Sequence, residues 1–251
     1  MNMTGNTILI TGGGSGIGRA LAEAFHRLGN QVIISGRRAG VLKEVTDANP
    51  GMAALTVDMG DADSIKAFAE TLIKNHPSLN AVLNNAGIMK PEDIKGADYL
   101  AIAEETIATN LLGPIRLSAA LLPHLQAQEN AAVLTVSSGL AFVPMALTPT
   151  YSATKAAIHS YSMALRHQLK DGNVEVIEIA PPYVQTELMS EQQASDPNAM
   201  PLADFITEVM DILSQQPDSG EVIVERCKPL RFAAENGKMA VMFGAINSMV
   251  H

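Results

Sequence analysis

The chain contains no tryptophan, and only 4% of its 251 residues are aromatic. Its core must therefore be packed mainly from Ala, Val, Ile, Leu and Met. A single cysteine, Cys227, excludes an intramolecular disulfide and any zinc site built on several thiolates. Positive charge is in the minority. With 17 Lys and Arg against 26 Asp and Glu the net charge is −9, which argues against nucleic acid as a partner, since phosphate binding needs a basic face. Met1–Asn6 has neither a basic start nor a long apolar run, so no signal peptide is expected. The stretch Asn130–Thr154 carries no charge, but Pro144, Pro149 and many Ser and Thr interrupt it. It reads as a strand, a polar loop and a helix start, with no membrane partner. A cytoplasmic location is the expectation.

What is present is enough for a core: 47% of residues are hydrophobic. Strand-like and helix-like segments alternate along the chain. Short apolar or β-branched runs at Thr7–Thr11, Gln31–Ser35, Ala53–Val57, Ala81–Asn84, Ala131–Ser137, Val174–Ala180 and Glu221–Glu225 predict strands. Between them helical periodicity predicts helices ending near Ala48 and spanning about Ser64–Lys74, Ala101–Thr109, Ile115–Gln128, Thr150–Leu169 and Leu202–Ser214. Strands apolar nearly throughout and separated by helices imply a parallel sheet covered on both faces. The expected fold is therefore α/β, one doubly wound Rossmann-type domain over residues 1–251 with about seven strands. Two irregular stretches stand apart: about 187–200, read as a substrate lid or a surface loop, and a Met-rich tail over 227–251. Met239, Met242, Phe243, Ile246 and Met249 at helical spacing suggest packing in that tail.

Thr11–Gly18 (TGGGSGIG) joins the first strand to the first helix. Glycines there let the backbone turn sharply and approach a pyrophosphate, and the helix N-terminus offers free N–H groups. The spacing is Gly-x-x-x-Gly-x-Gly through Gly12, Gly16 and Gly18, with Ser15 and Ile17 between. After the second strand, NAD sites place an acid for the ribose 2′-hydroxyl. Here Gly36 leaves that slot empty and Arg37 and Arg38 follow, which points to NADP(H) as cofactor. Tyr151 and Lys155, four apart at a helix start, share one face, and Ser138 lies just past a strand end, where open α/β sheets bind ligands. An ammonium beside a phenol favours phenolate. The phenol can then exchange a proton with a developing alkoxide while the second hydroxyl holds the carbonyl oxygen.

These pieces together resemble the short-chain dehydrogenase/reductase family over about residues 5–225: TGGGSGIG at Thr11–Gly18, NNAG at Asn84–Gly87, TN at Thr109–Asn110, SS at Ser137–Ser138 and YSATK at Tyr151–Lys155. The resemblance implies Tyr151 as acid/base, Lys155 also on the nicotinamide ribose, Ser138 orienting substrate and Asn110 holding a water in a proton relay. It further implies Asp58 and Met59 at the adenine, Asn84 and the Ala86-Gly87 backbone shaping the central sheet and the cofactor groove, and Pro181, Val184 and Thr186 around the carboxamide. Pro181-Pro182, where the family usually has Pro-Gly, is similar to the DltE-like branch. The reading that follows is reduction of a ketone or aldehyde, or the reverse. A non-catalytic dinucleotide-binding regulator on the same fold is the alternative, but such proteins typically lose the Tyr or Lys. An epimerase would carry a larger C-terminal domain. An apolar substrate would be walled by Leu140, Phe142, Val143, Met145, Leu147, Tyr183 and Met189. In the family, the helices around Ile115–Gln128 and Thr150–Leu169 commonly pair across a two-fold axis, so a homodimer or homotetramer is expected. The six His (His26, His76, His124, His159, His167 and His251) show no metal-ligand spacing and are expected in solvated or structural roles.

Overall fold

The computed structural model describes residues 1–96, 99–215 and 220–248; Met249 and His251 lie outside them. Its elements are β1 (Thr7–Thr11), α1 (Gly16–Arg27), β2 (Gln31–Gly36), α2 (Ala39–Ala48), β3 (Ala53–Thr56), α3 (Ala62–Asn75), β4 (Leu79–Asn84), α4 (Tyr99–Ile107), α5 (Gly113–Gln126), β5 (Ala131–Val136), α6 (Pro149–Leu169), β6 (Val174–Ile179), α7 (Leu202–Ser214), β7 (Glu221–Val222), α8 (Lys228–Arg231) and α9 (Met239–Ser248). The strands form one seven-stranded parallel sheet in the order β3-β2-β1-β4-β5-β6-β7. The order reverses between β1 and β4, which opens a crevice at their carboxyl ends.

Alternation along the central strands decides which helix lies on which face. Ile8 and Ile10 of β1 join Leu21 and Phe25 of α1, Leu42 and Val45 of α2 and Phe205 and Val209 of α7 in one core layer. Leu9, between them, points the other way and joins Phe68 and Leu72 of α3 and Leu117, Leu121 and Leu125 of α5. Burying one such Leu or Ile completely contributes about 1.5–3 kcal/mol relative to leaving it exposed. β1 is buried along its whole length, as strands covered on both faces must be.

Local chemistry fixes several boundaries. The Asp61 carboxylate accepts hydrogen bonds from the N–H groups of Asp63 and Ser64 and caps α3. Pro149 at the first turn starts α6, where its missing N–H costs nothing. α4 runs into α5 through a π-helical turn, Ala108–Leu112. The last strand is shorter than its sequence suggests: Ile223 to Glu225 leave the sheet and turn into a 3-10 turn at Glu225–Cys227. The tail is more ordered than expected, holding α8 and α9. Asn247 of α9 accepts a hydrogen bond from the Ala146 N–H at 2.6 Å and donates one to the Pro144 carbonyl at 3.2 Å. Among the described residues no helix is long and apolar enough to cross a membrane.

Candidate active site

The glycine turn is locked to the end of β4. The Thr11 hydroxyl accepts hydrogen bonds from the N–H groups of Asn85 and Ala86, both at 3.0 Å, and the Asn85 amide donates to the Thr11 carbonyl at 2.9 Å. Gly12 and Gly16 sit at φ +68° and +53°, a region open to glycine at little cost. At Gly18 space is the constraint: a Cβ would lie 2.4 Å from both the Asn85 amide nitrogen and the Gly12 carbonyl oxygen. Ser15 precedes α1 without capping it through its side chain, so the first N–H groups of the helix keep no intrahelical partner. A Cβ on Gly16 would meet Thr186 at 3.5 Å, which places Thr186 against the turn. Past the end of β2, Arg37 and Arg38 are exposed. Asp58 is exposed at the end of β3 and accepts from the Gly60 N–H at 2.9 Å; Met59 is buried in the core, leaving its backbone for any ligand.

Ser138, Tyr151 and Lys155 converge on this groove. Ser138 follows β5 in extended conformation and accepts a hydrogen bond from the Leu140 N–H at 3.1 Å. Its loop is held from the next strand, the Gly139 N–H donating to the Pro181 carbonyl at 2.8 Å. Tyr151 and Lys155 are one turn apart on α6, the ammonium 5.5 Å from the centre of the tyrosine ring. Lys155 donates to the Val136 carbonyl at 2.7 Å. Burial pushes the Tyr151 phenol up to about 12, and a hydrogen bond with Ser138 draws it down. Burial likewise pushes the Lys155 ammonium down to about 8, opposed by the charge of Glu178. Burial, not the neighbouring ammonium, thus dominates the phenol here. The π-helical turn projects Asn110 inward; its side chain accepts from the Ile88 N–H and donates to the Ile88 carbonyl, both at 2.8 Å. A Cβ on Gly87 would lie 3.3 Å from the Asn110 oxygen and 3.8 Å from the Lys155 ammonium, so these three meet.

Of the expected residues, Asn84 takes the sheet side of its role, and two expected walls change. Asn84 turns its amide to the Ser118 hydroxyl at 3.2 Å, into the α5 side of the sheet, where its side chain braces the core. Phe142 packs edge-on to His159, ring centres 4.8 Å apart, with the Arg231 guanidinium 4.9 Å from its own centre. It faces away from the groove. Val143 is fully buried and offers no wall. Leu140, Met145, Leu147, Tyr183 and Met189 keep exposed surface. Val184 and Thr186 are buried, and the segment after them is tethered by Gln193, whose amide donates to the Val184 carbonyl at 2.9 Å and the Thr186 hydroxyl at 3.1 Å.

Gln193 carries no motif signal. Nor does Glu92, which accepts from the N–H and hydroxyl of Thr150 and so caps α6 from a distant loop. Asn85 stands inside the NNAG run but works through its own side chain, not only its neighbours' backbone. Glu178 had a visible signal: a carboxylate among the apolar residues that end β6, VEVIEI.

Comparison with known proteins agrees with this geometry. The family model of short chain dehydrogenases matches residues 6–197. An uncharacterized oxidoreductase DltE of Bacillus subtilis is 48% identical over 189 residues, 75% of each chain. A mouse dehydrogenase/reductase, SDR family member 7B, is 27% identical over 72% of this chain, which spans only 58% of the mouse protein. Among solved structures, a short chain dehydrogenase from Burkholderia cenocepacia in complex with NADP superposes with a TM-score of 0.82 at 22% identity, over 97% of this chain and 99% of that one. One from Burkholderia phymatum in complex with NAD gives 0.81 at 20%, over 96% of both. The chain belongs to the short-chain dehydrogenase family of oxidoreductases.

Proposed function

We propose that the protein is an NADPH-dependent reductase of ketones or aldehydes, with Tyr151 as its proton donor. The observation that carries this reading is the buried contact of the Ser138 and Tyr151 hydroxyls with Lys155 behind them, at the strand ends beside the glycine turn. Held high by burial, the phenol keeps its proton at neutral pH, which suits donation to a developing alkoxide. Ser138 would hold the carbonyl oxygen. The mostly charged Lys155 would favour the phenolate left after donation. Asn110 spends its side chain on Ile88, so any water it holds would rest on its main-chain carbonyl.

The groove fits a dinucleotide. The N–H groups of Ser15–Gly18 would take the pyrophosphate, Arg37 and Arg38 the 2′-phosphate, Asp58 and Met59 the adenine, and Ala86 and Gly87 the groove floor. Lys155 would bind the ribose, and Pro181, Val184 and Thr186 the carboxamide. When bound, the cofactor supplies the hydride. The absence of an acid after β2, with Arg37 in the next position, favours NADPH over NADH. Residues about 187–200, tethered by Gln193 and by the hydrogen bond of the Tyr183 hydroxyl to Asp196 at 3.0 Å, would close over an apolar substrate. Ala119, Ala120 and Ala153 leave small, exposed surfaces on α5 and α6 suited to pairing two copies, in a dimer or tetramer located in the cytoplasm.

The test is a panel of ketones and aldehydes with NADPH oxidation as readout. Turnover of at least one compound, lost by about 10²-fold or more in Tyr151→Phe, is the expected result. Turnover retained in that variant would place the proton donor elsewhere.

A further inference from the structure

The polar face of α6 continues past the active site. At four-residue spacing, Tyr151, Lys155 and His159 follow one another along the side that faces β5 and β6. Glu178 faces the same side. It lies opposite Thr135 in the sheet, one residue before the pair Val136–Ile179, and Val136 is the residue whose carbonyl receives the Lys155 ammonium. Thr135 in turn bonds Ser162 of α6 at 2.8 Å. Glu178 is 0% exposed. His159 Nδ1 donates to its Oε2 at 2.8 Å, and its Oε1 is buried with no hydrogen-bond partner. A buried carboxylate oxygen left without a donor is costly, so the carboxylate needs a nearby positive charge to offset its burial.

We propose that Glu178 is a positioning residue of the active site: the buried counter-charge that keeps Lys155 an ammonium ion, held in place by His159. The proposal rests on the reading of Lys155 as part of the catalytic group. Besides His159, the surrounding charges leave Lys155 as the cation for Glu178 to balance. On β7, Glu221 is taken by Arg231, through Nε at 2.8 Å and Nη2 at 3.2 Å, and Arg231 also meets Glu235 at 2.9 Å. Arg166, further along α6, is spent on the carbonyls of Val176 and Gly220. The Cys227 thiol, buried nearby, is pushed up to about 12 and stays neutral. His159, Glu178 and Glu221 bring ligand atoms within 4.8 Å of one another, but the guanidinium already supplies the cation there. Burial alone drives Lys155 toward the neutral amine, and Glu178 is the group that opposes it. His159 makes this hold strongest where it is needed. Its own proton is favoured first by the bond to Glu178. As pH rises and that proton leaves, the full carboxylate charge bears on Lys155.

Glu178→Gln keeps the size and a hydrogen bond to His159 while removing the charge. The readout is the ε-carbon resonance of Lys155 in ¹³C-lysine-labelled protein, identified by its loss in Lys155→Met. Its titration midpoint should fall by about one pH unit in Glu178→Gln, the effect of one opposite charge in the interior, and return in Glu178→Asp. The pH profile of turnover should shift in the same direction. An unchanged Lys155 midpoint in a folded Glu178→Gln protein overturns the proposal. If that variant does not fold, Glu178→Gln/His159→Gln, with an amide pair in place of the ionic one, is read by the same criterion. The resonance needs no substrate, so failure to find any carbonyl turnover would count against the catalytic reading and leave this measurement decisive.

Discussion

The glycine turn and helix α6 line one groove by opposite means. The turn, Thr11–Gly18, works through its backbone. Its side chains are nearly absent, and the space where they would stand is filled by Asn85, Ala86 and Ile34. The helix α6 works through side chains. Tyr151, Ser152, Thr154, Lys155 and Ser162 are buried polar groups on one element, and the atoms of the backbone beneath them are ordinary. Steric substitution should therefore break the turn and spare the helix, whereas chemical substitution should do the reverse.

The largest expected effect is at Gly18. In Gly18→Ala the new Cβ meets a backbone carbonyl at 2.4 Å, and neither it nor the pinned Asn85 can withdraw. A loss of about 3 kcal/mol in unfolding free energy is expected by urea titration. A loss below about 1 kcal/mol would mean that the turn has more slack than its packing implies. Next is Arg37→Ala. Arg37 is exposed and outside any packed layer, so stability should hold while the ratio of NADPH to NADH affinity falls by about tenfold, the worth of one charge-assisted contact. Equal affinities in the unmutated protein would remove the basis for this expectation. Smaller still is the stability effect of Tyr151→Phe. The ring keeps its packing and loses only the hydroxyl contact with Ser138, so unfolding should change by about 1 kcal/mol or less, even as the proposed proton donor is removed. A larger change would show that the phenol is a structural group as well as a chemical one.

The smallest effect belongs to His159. Its folded value is raised, first by the hydrogen bond to Glu178. A group raised above its unfolded value of about 6.5 contributes stability that is complete below that pH and is lost as pH climbs through the folded value. The difference in urea midpoint between the unmutated protein and His159→Gln should therefore be greater at about pH 6 than at about pH 9. The opposite trend would mean that the neutral imidazole is the form that Glu178 favours.

Features carried by local sequence were legible, and features carried by direction in space were not. β1 is the predicted Thr7–Thr11, because a short run of Thr, Ile and Leu buried on both faces suits a central strand. β7 is shorter than predicted, because the tail must leave the sheet at Ile223 to bring Cys227 and Leu230 against Gly139. A Cβ on Gly139 would lie 2.7 Å from Leu230, so the loop carrying Ser138 is backed by a segment almost ninety residues further on. Phe142 looks like a pocket wall when counted from Ser138, but the 3-10 turn Gly139–Ala141 rotates it onto His159 and Arg231. His159 showed no ligand spacing, and its partner Glu178 lies on another element, so neither could be paired by counting.

The sequence by itself determined the alternating α/β order, the glycine turn and the one-turn spacing of Tyr151 and Lys155. Each is encoded within a few residues by backbone permissiveness, periodicity or helix geometry. Only the tertiary structure decided that the sheet reverses between β1 and β4, that Asn84 looks into the core while Asn85 locks the turn, and that Glu178 stands behind Lys155. Those facts depend on which face of a strand meets which helix, and that is settled by packing the whole sheet at once.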